Sequence, residues 1–191
     1  MIEHTLCHIW ILGTCTILIG AFWFQFAENE LPCPLCMLQR MCMVLAAIGP
    51  AFILTQGRSA HHYGLSVLGS GLGMAILAAV GGMSISARQV LLHIAPNDAG
   101  YGSPILGLHL YTWALIVFVG IIVVSAITML LEPELRPSEP KKLPWYSKAT
   151  LTLFGLVIAA NAIAALAESG PHLFLPADPE RYEGLELIDR D

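Results

Sequence analysis

Five stretches of this chain, 7–27, 41–57, 63–87, 106–131 and 149–167, contain no Asp, Glu, Lys or Arg. Each is long enough, coiled as a helix, to cross a hydrocarbon core of about 30 Å. A backbone that meets lipid has no water to bond to, so it must satisfy its own N–H and C=O groups, which leaves helices or a closed barrel. None of the five runs alternates apolar and polar residues as a barrel strand does. With 56% hydrophobic and 12% charged residues, the chain lies outside the range of soluble domains. The expectation is an all-α integral membrane protein: a four-helix transmembrane bundle over 1–131, a cytoplasmic linker at 132–148, an extra transmembrane helix at 149–167, and an acidic tail at 168–191.

A cleaved leader is the alternative for the first run, because Leu12-Gly13-Thr14-Cys15 resembles a lipoprotein cleavage site. The segment Met1-Ile2-Glu3-His4 carries no Lys or Arg, and the apolar run exceeds a signal core in length, so the run is expected to remain as a span. The turn 56–62, which includes His61 and His62, makes the second and third spans antiparallel neighbours. Arg58, Arg136, Lys141, Lys142 and Lys148 then fall on one side, which the positive-inside rule assigns to the cytoplasm, while Arg40, Arg88, Arg181 and Arg190 fall on the other. On that assignment the loops around Cys33 and at 84–105 face the periplasm, as does the tail. The third span contains Gly69-Ser70-Gly71-Leu72-Gly73, a small-residue pattern read as ordinary close helix packing.

Of the five cysteines, Cys7, Cys15 and Cys42 lie within spans, where a thiol behaves as a small hydrophobe. Cys33 and Cys36 differ, because a Cys-Pro-Leu-Cys spacing at a helix start lets the two sulfurs meet in a small disulfide ring. Pro32 suits the segment before the second helix and Pro34 its first turn. The positive end of the helix dipole, and Arg40 one turn on, favour a thiolate at Cys36, the nucleophilic form. A pair that oxidises other thiols must pass two electrons onward, and at the outer lipid boundary the available acceptor is a quinone. Arg40 supplies a cation for its carbonyl and Gln39 an amide, although Gln39 points about 100° away from Arg40 around the helix.

A second group, Arg88 and His93, closes the third span. These residues have an interfacial reading, a snorkelling arginine and a surface histidine, and a functional one beside a quinone. His109 is a weaker candidate of the same kind. A metal site at the cysteine pair remains open as well, with His93, His109 or His172 as further ligands, as does a purely structural disulfide.

Three segments resemble the disulfide bond formation protein B (DsbB) family. Leu31-Pro32-Cys33-Pro34-Leu35-Cys36-Met37-Leu38-Gln39-Arg40 is similar to its first periplasmic motif, Ala87-Arg88-Gln89-Val90 to the close of its third helix, and Leu106-Gly107-Leu108-His109-Leu110-Tyr111-Thr112-Trp113 to the start of its fourth. The likeness covers about residues 5–131. It implies a bundle that binds ubiquinone or menaquinone near the outer leaflet. In that reading Cys36 is the sulfur next to the quinone, Arg40 holds the ring, Cys33 is exposed to thiol exchange, and His93 matches a histidine of some members. The partner implied is a periplasmic thioredoxin-fold thiol oxidase (DsbA-like) or another dithiol protein; membrane lipid is expected around the bundle, and no nucleic acid or metal. The chain departs from the family at the loop 84–105, which lacks the usual second cysteine pair, and at the fifth span. The relay through that second pair is therefore absent, and the expected reaction is direct exchange between partner and Cys33–Cys36. The alternative is a membrane assembly factor that binds a metal or a thiol without turnover.

Overall fold

A computed structural model describes residues 2–56, 61–62, 65–96, 98–131, 143–170 and 182. Five helices run in order: α1 (Ile2–Ala27), α2 (Pro34–Gln56), α3 (Val67–Leu92), α4 (Leu110–Leu130) and α5 (Trp145–Ser169). All five are long and apolar enough to cross a membrane, so the protein is an all-helical, multi-pass membrane bundle. Between α2 and α3 two short strands, β1 (His61–His62) and β2 (Leu65–Ser66), pair antiparallel with His61 opposite Ser66. The expected linker positions 132–142, most of the tail including His172, and the side chains of His61 and His62 lie outside the described residues.

Two helices start later than their charge-free runs, each for a local reason. The third helix starts at Val67 rather than 63, because Ser66 is its N-cap and accepts from the Gly69 N–H at 2.9 Å. The fourth starts at Leu110 rather than 106. Leu106 (φ 52°) and Gly107 (φ 81°) are left-handed, and they close a tight turn in which Ile105 and Leu108 exchange backbone hydrogen bonds of 2.8 and 3.0 Å. Trp113 Nε1–H donates to Ile105 O at 3.1 Å and fixes that turn to the helix.

α2 packs on α3 and α3 on α4. Helices in lipid gain little from burying apolar surface, so close van der Waals fit decides their pairing. Gly71 of the small-residue motif provides it: a Cβ on Gly49 of α2 would stand 2.1 Å from Gly71 O. Gly73, by contrast, has open space where its Cβ would be. Gly82 plays the same part against Phe118 of α4, whose ring would lie 2.2 Å from an added Cβ. Cys7 and Cys15 are buried in the core with Ile11, Leu18, Leu54 and Phe118, and Cys42 packs against it.

The fifth helix packs on α1 and α2. A polar clamp joins it to α1: His8 Nδ1 lies 3.0 Å from Thr150 Oγ1 and His8 Nε2 lies 2.9 Å from Ser147 Oγ. Thr150 O–H donates to Tyr146 O at 3.1 Å. A neutral His8 therefore donates from Nδ1 to Thr150 and accepts at Nε2 from the Ser147 hydroxyl.

Candidate functional site

The cysteine pair is built by the first turn of α2. Pro34 opens the helix, where its missing N–H costs nothing, and Cys33 is the capping residue before it. The Cys33 carbonyl accepts from Met37 N–H at 3.0 Å, and its sulfur accepts from Cys36 N–H at 3.2 Å, as a serine oxygen does at an N-cap. Both are free thiols in contact with each other. The hydrogen bond with Cys36, and then burial, push the Cys33 thiol up.

A buried amide reaches both sulfurs from α3. Gln89 Nε2 donates to Cys33 Sγ at 3.2 Å and to Cys36 Sγ at 3.5 Å, while Gln89 Oε1 accepts from Gln39 Nε2 at 2.8 Å. Gln89 and Gln39 are 1% and 5% exposed, so neither amide has water to turn to. Gln89 is the residue that the reading of charges passed over in favour of its neighbour Arg88. The signal lay in the spacing: Leu72, Ala75, Ala79, Gly82, Ser86 and Gln89 are all buried, at helical intervals of three and four. Position 88 stands off that stripe by about 100°. Arg88 is accordingly exposed and lines neither cavity described below.

Arg40 points away from the thiols toward α1. Its Nη1 donates to Gln25 Oε1 at 2.6 Å and its Nη2 to Ala21 O at 3.1 Å, with Phe22 5.7 Å from the guanidinium carbon. Two contacts engage only part of a fork of five N–H donors. Gln25 is itself 1% exposed, and its amide donates to Tyr182 Oη at 3.4 Å; the Tyr182 ring stacks on Phe26. That is where the described part of the tail meets the bundle.

Cys36, Gln39 and Arg40 line one end of a cavity of about 90 Å³ between α1, α2 and α4. Leu18, Met43 and Ala114 form apolar walls, and Tyr111 and Tyr101 close the side toward the loop 93–109. A ring with carbonyl oxygens and an apolar tail suits these surfaces: donors at the sulfur end and hydrocarbon along the helices. Gln39, expected to point elsewhere, shares this cavity with Arg40.

The 93–109 loop is strapped over the cysteine segment. Tyr101 O–H donates to Leu31 O at 2.6 Å, and Ser103 donates to Glu30 through its N–H at 3.0 Å and through its hydroxyl. His93 lies in this loop rather than at the sulfurs. Its Nδ1 pairs with Asp98 Oδ1 at 3.1 Å, and its ring stacks on Tyr111 with centroids 5.6 Å apart. His109 donates to Gly102 O at 3.0 Å and stacks on the same tyrosine at 5.3 Å. Under these straps Cys33 is 5% exposed. Cys33, which the resemblance makes the sulfur exposed to thiol exchange, is thus buried here and accepts from the Gln89 amide. Cys36 is half-buried and faces the cavity.

A multi-pass helical bundle that holds a Cys-x-x-Cys dithiol against buried amides, at the head of a spanning helix, is a membrane protein of thiol–disulfide chemistry. The family model described as "Disulfide bond formation protein DsbB" matches residues 3–103. The chain belongs to that family. A Disulfide bond formation protein B of Burkholderia pseudomallei is 28% identical over 158 residues, covering 67% of this chain and 90% of the relative. Proteins of the same name from Chromohalobacter salexigens and Methylococcus capsulatus are 39% identical over 87 residues and 38% over 88. These alignments cover 44% and 46% of this chain, and 47% and 51% of the relatives. No solved structure matches the chain.

Proposed function

We propose that the protein reoxidises a periplasmic dithiol protein through Cys33–Cys36 and passes the electrons to a membrane quinone, ubiquinone or menaquinone. The partner is a thioredoxin-fold thiol oxidase of the DsbA-like kind or another dithiol protein. The observation that carries this reading is the shared cavity, in which Cys36, Gln39 and Arg40 meet one apolar-walled space beside the dithiol. The four-helix unit at 1–131 holds the reaction, and the helix around 149–167 is an addition to it.

In the oxidised protein a partner thiolate attacks Cys33 Sγ, the S–S bond breaks, and Cys36 leaves as a thiolate beside the Gln89 amide. The partner's second thiol then resolves the mixed disulfide, so the partner is oxidised and the pair reduced. Cys33 is buried, so the attack requires an opening of the segment around it, which Tyr101 and Ser103 hold at Leu31 and Glu30. When bound, a quinone supplies a two-electron, two-proton acceptor. Arg40 would hold its carbonyl with donors left over from Gln25 and Ala21, Gln89 would hold the sulfurs, and the two electrons and two protons of the dithiol would pass to that acceptor as the S–S bond re-forms. With one cysteine pair in the chain, no relay through a second pair intervenes.

A metal-binding role finds less support, since no cluster of three or more His, Cys, Asp or Glu occurs among the described residues. The test uses purified protein in detergent, a reduced dithiol partner and a short-tailed quinone. Cys33→Ala is expected to abolish partner-dependent quinone reduction, and full activity in that variant refutes the reading.

A further inference from the structure

The added helix carries, in its last turn, a buried carboxyl group that the reaction above does not use. Glu168 is 1% exposed, and both of its oxygens are without a hydrogen-bond partner among the described residues. A buried ionisable group is costly unless it is paired, and a buried acceptor without a donor calls for one.

Glu168 faces a second cavity, of about 320 Å³, between α2 and α5. On α5, Asn161, Ala165 and Glu168 fall at helical intervals of four and three and present one stripe to it; on α2, Met37, Met41 and Leu45 form the apolar wall opposite. Met41 and Leu45 are 53% and 52% exposed on the outer surface of the bundle, so this wall is continuous with the lipid-facing side. Arg40 and Pro32 line both this cavity and the one holding Cys36. The two spaces therefore adjoin across a single arginine.

Both cavities meet the Arg40 donors, and they differ in the acceptor that the second one adds. The α1/α2/α4 cavity offers donors, from Arg40 and Gln39, which match the carbonyl oxygens of an oxidised quinone. The α2/α5 cavity adds the Glu168 carboxyl group, whose two oxygens lack a partner among the described residues and match hydroxyl donors. An oxidised quinone has no such donor and its reduced form has two. We propose that the cavity between α2 and α5 is a binding site for the reduced product, a hydroquinone, whose hydroxyl donates to Glu168 on the way from Arg40 to the lipid.

This rests on the quinone reading, and the experiment separates the two. Full-length protein carrying Cys33→Ser and Cys36→Ser, so that no electrons move, is titrated calorimetrically in neutral detergent with a short-tailed benzohydroquinone under anaerobic conditions, and separately with the matching quinone. Glu168→Leu removes the acceptor, and Ala165→Trp fills the cavity while keeping the Glu168 side chain. Each is expected to weaken hydroquinone binding about tenfold, about 1.4 kcal/mol, with quinone affinity within about twofold of the parent. Equal losses for both forms, or unchanged hydroquinone affinity in both variants, overturn the site. Selective retention of ethanolamine over choline lipid that is lost in Glu168→Leu, without hydroquinone binding, also overturns it, by assigning the carboxylate to an aminolipid. If the protein with intact cysteines fails to reduce quinone while the hydroquinone difference persists, the electron-transfer reading falls and the site stands. Normal quinone reduction without that difference overturns the site alone.

Discussion

Replacing Gln89 with leucine tests whether one buried amide sets the redox balance of the pair. Gln89 Nε2 lies 3.2 Å from Cys33 Sγ and 3.5 Å from Cys36 Sγ. A hydrogen bond to a charged group contributes about 1.5–3 kcal/mol. Sulfur is a weak acceptor and one NH₂ serves two sulfurs, so the lower figure applies. These contacts favour the reduced, thiolate-bearing pair over the disulfide, which has no charge to stabilise. Losing about 1.5 kcal/mol from the reduced form makes the disulfide about tenfold harder to reduce and lowers the potential by about 30 mV.

The assay is equilibration of purified protein in glutathione buffers of graded potential, with the reduced fraction counted by thiol alkylation and mass shift. Gln89→Leu also orphans the Gln39 amide, which donates to Gln89 Oε1 at 2.8 Å, at a stability cost of about 1–3 kcal/mol. The double replacement Gln39→Leu, Gln89→Leu removes both ends of that bond. It is expected to recover stability while keeping the lowered potential, and Gln39→Leu alone to leave the potential near that of the parent. A Gln89→Leu protein that is folded and within about 10 mV of the parent refutes the assignment of Gln89 to the sulfurs.

Three further outcomes follow from the geometry. Arg40→Ala should raise the KM for quinone about 10- to 100-fold, the loss of one charged hydrogen bond, with the protein still inserted; unchanged quinone kinetics remove Arg40 from its role. Gly49→Ala places a Cβ 2.1 Å from Gly71 O, backbone that cannot swing away, and should cost about 1–3 kcal/mol in a thermal or denaturant melt. The Asp98 carboxyl is held below its usual range, first by the Gly100 N–H at 2.8 Å and then by His93. A depressed carboxylate contributes stability that is present above its unfolded value of about 3.9 and is lost as pH falls through the folded value. The 93–109 loop should therefore become open to pepsin below about pH 4, and in Asp98→Asn the rate of cleavage by a neutral protease should rise already at pH 7; equal rates at pH 7 argue against the Asp98 anchor.

The span count was legible because the cost of putting a charge into hydrocarbon writes itself into composition, and five charge-free runs correspond to five helices. The cysteine pair was legible for a similar reason: Pro34 and the two-residue spacing define a helix start whatever else surrounds it. Arg88 shows where such reasoning stops. Charge drew attention to position 88, but the buried stripe through Ser86 selects position 89, and only the facing surface of α2 makes an amide there meaningful. His93 likewise lies close in sequence to the site yet pairs with Asp98 and Tyr111 in the covering loop.

Local sequence alone determined that this chain is a membrane bundle with a cysteine pair at the head of its second helix, since solvation and helix-start chemistry act on neighbouring residues. Only the tertiary structure decided that Cys33 is covered, that Gln89 supplies the amide, and that Arg40 stands between two cavities. Those features depend on contacts between residues 15 to more than 100 positions apart, from Arg40–Gln25 to the α5 wall. Such contacts come from the close fit of α2 to α3, from α5 lying across α1 and α2, and from a loop strapped back by Glu30 and Leu31.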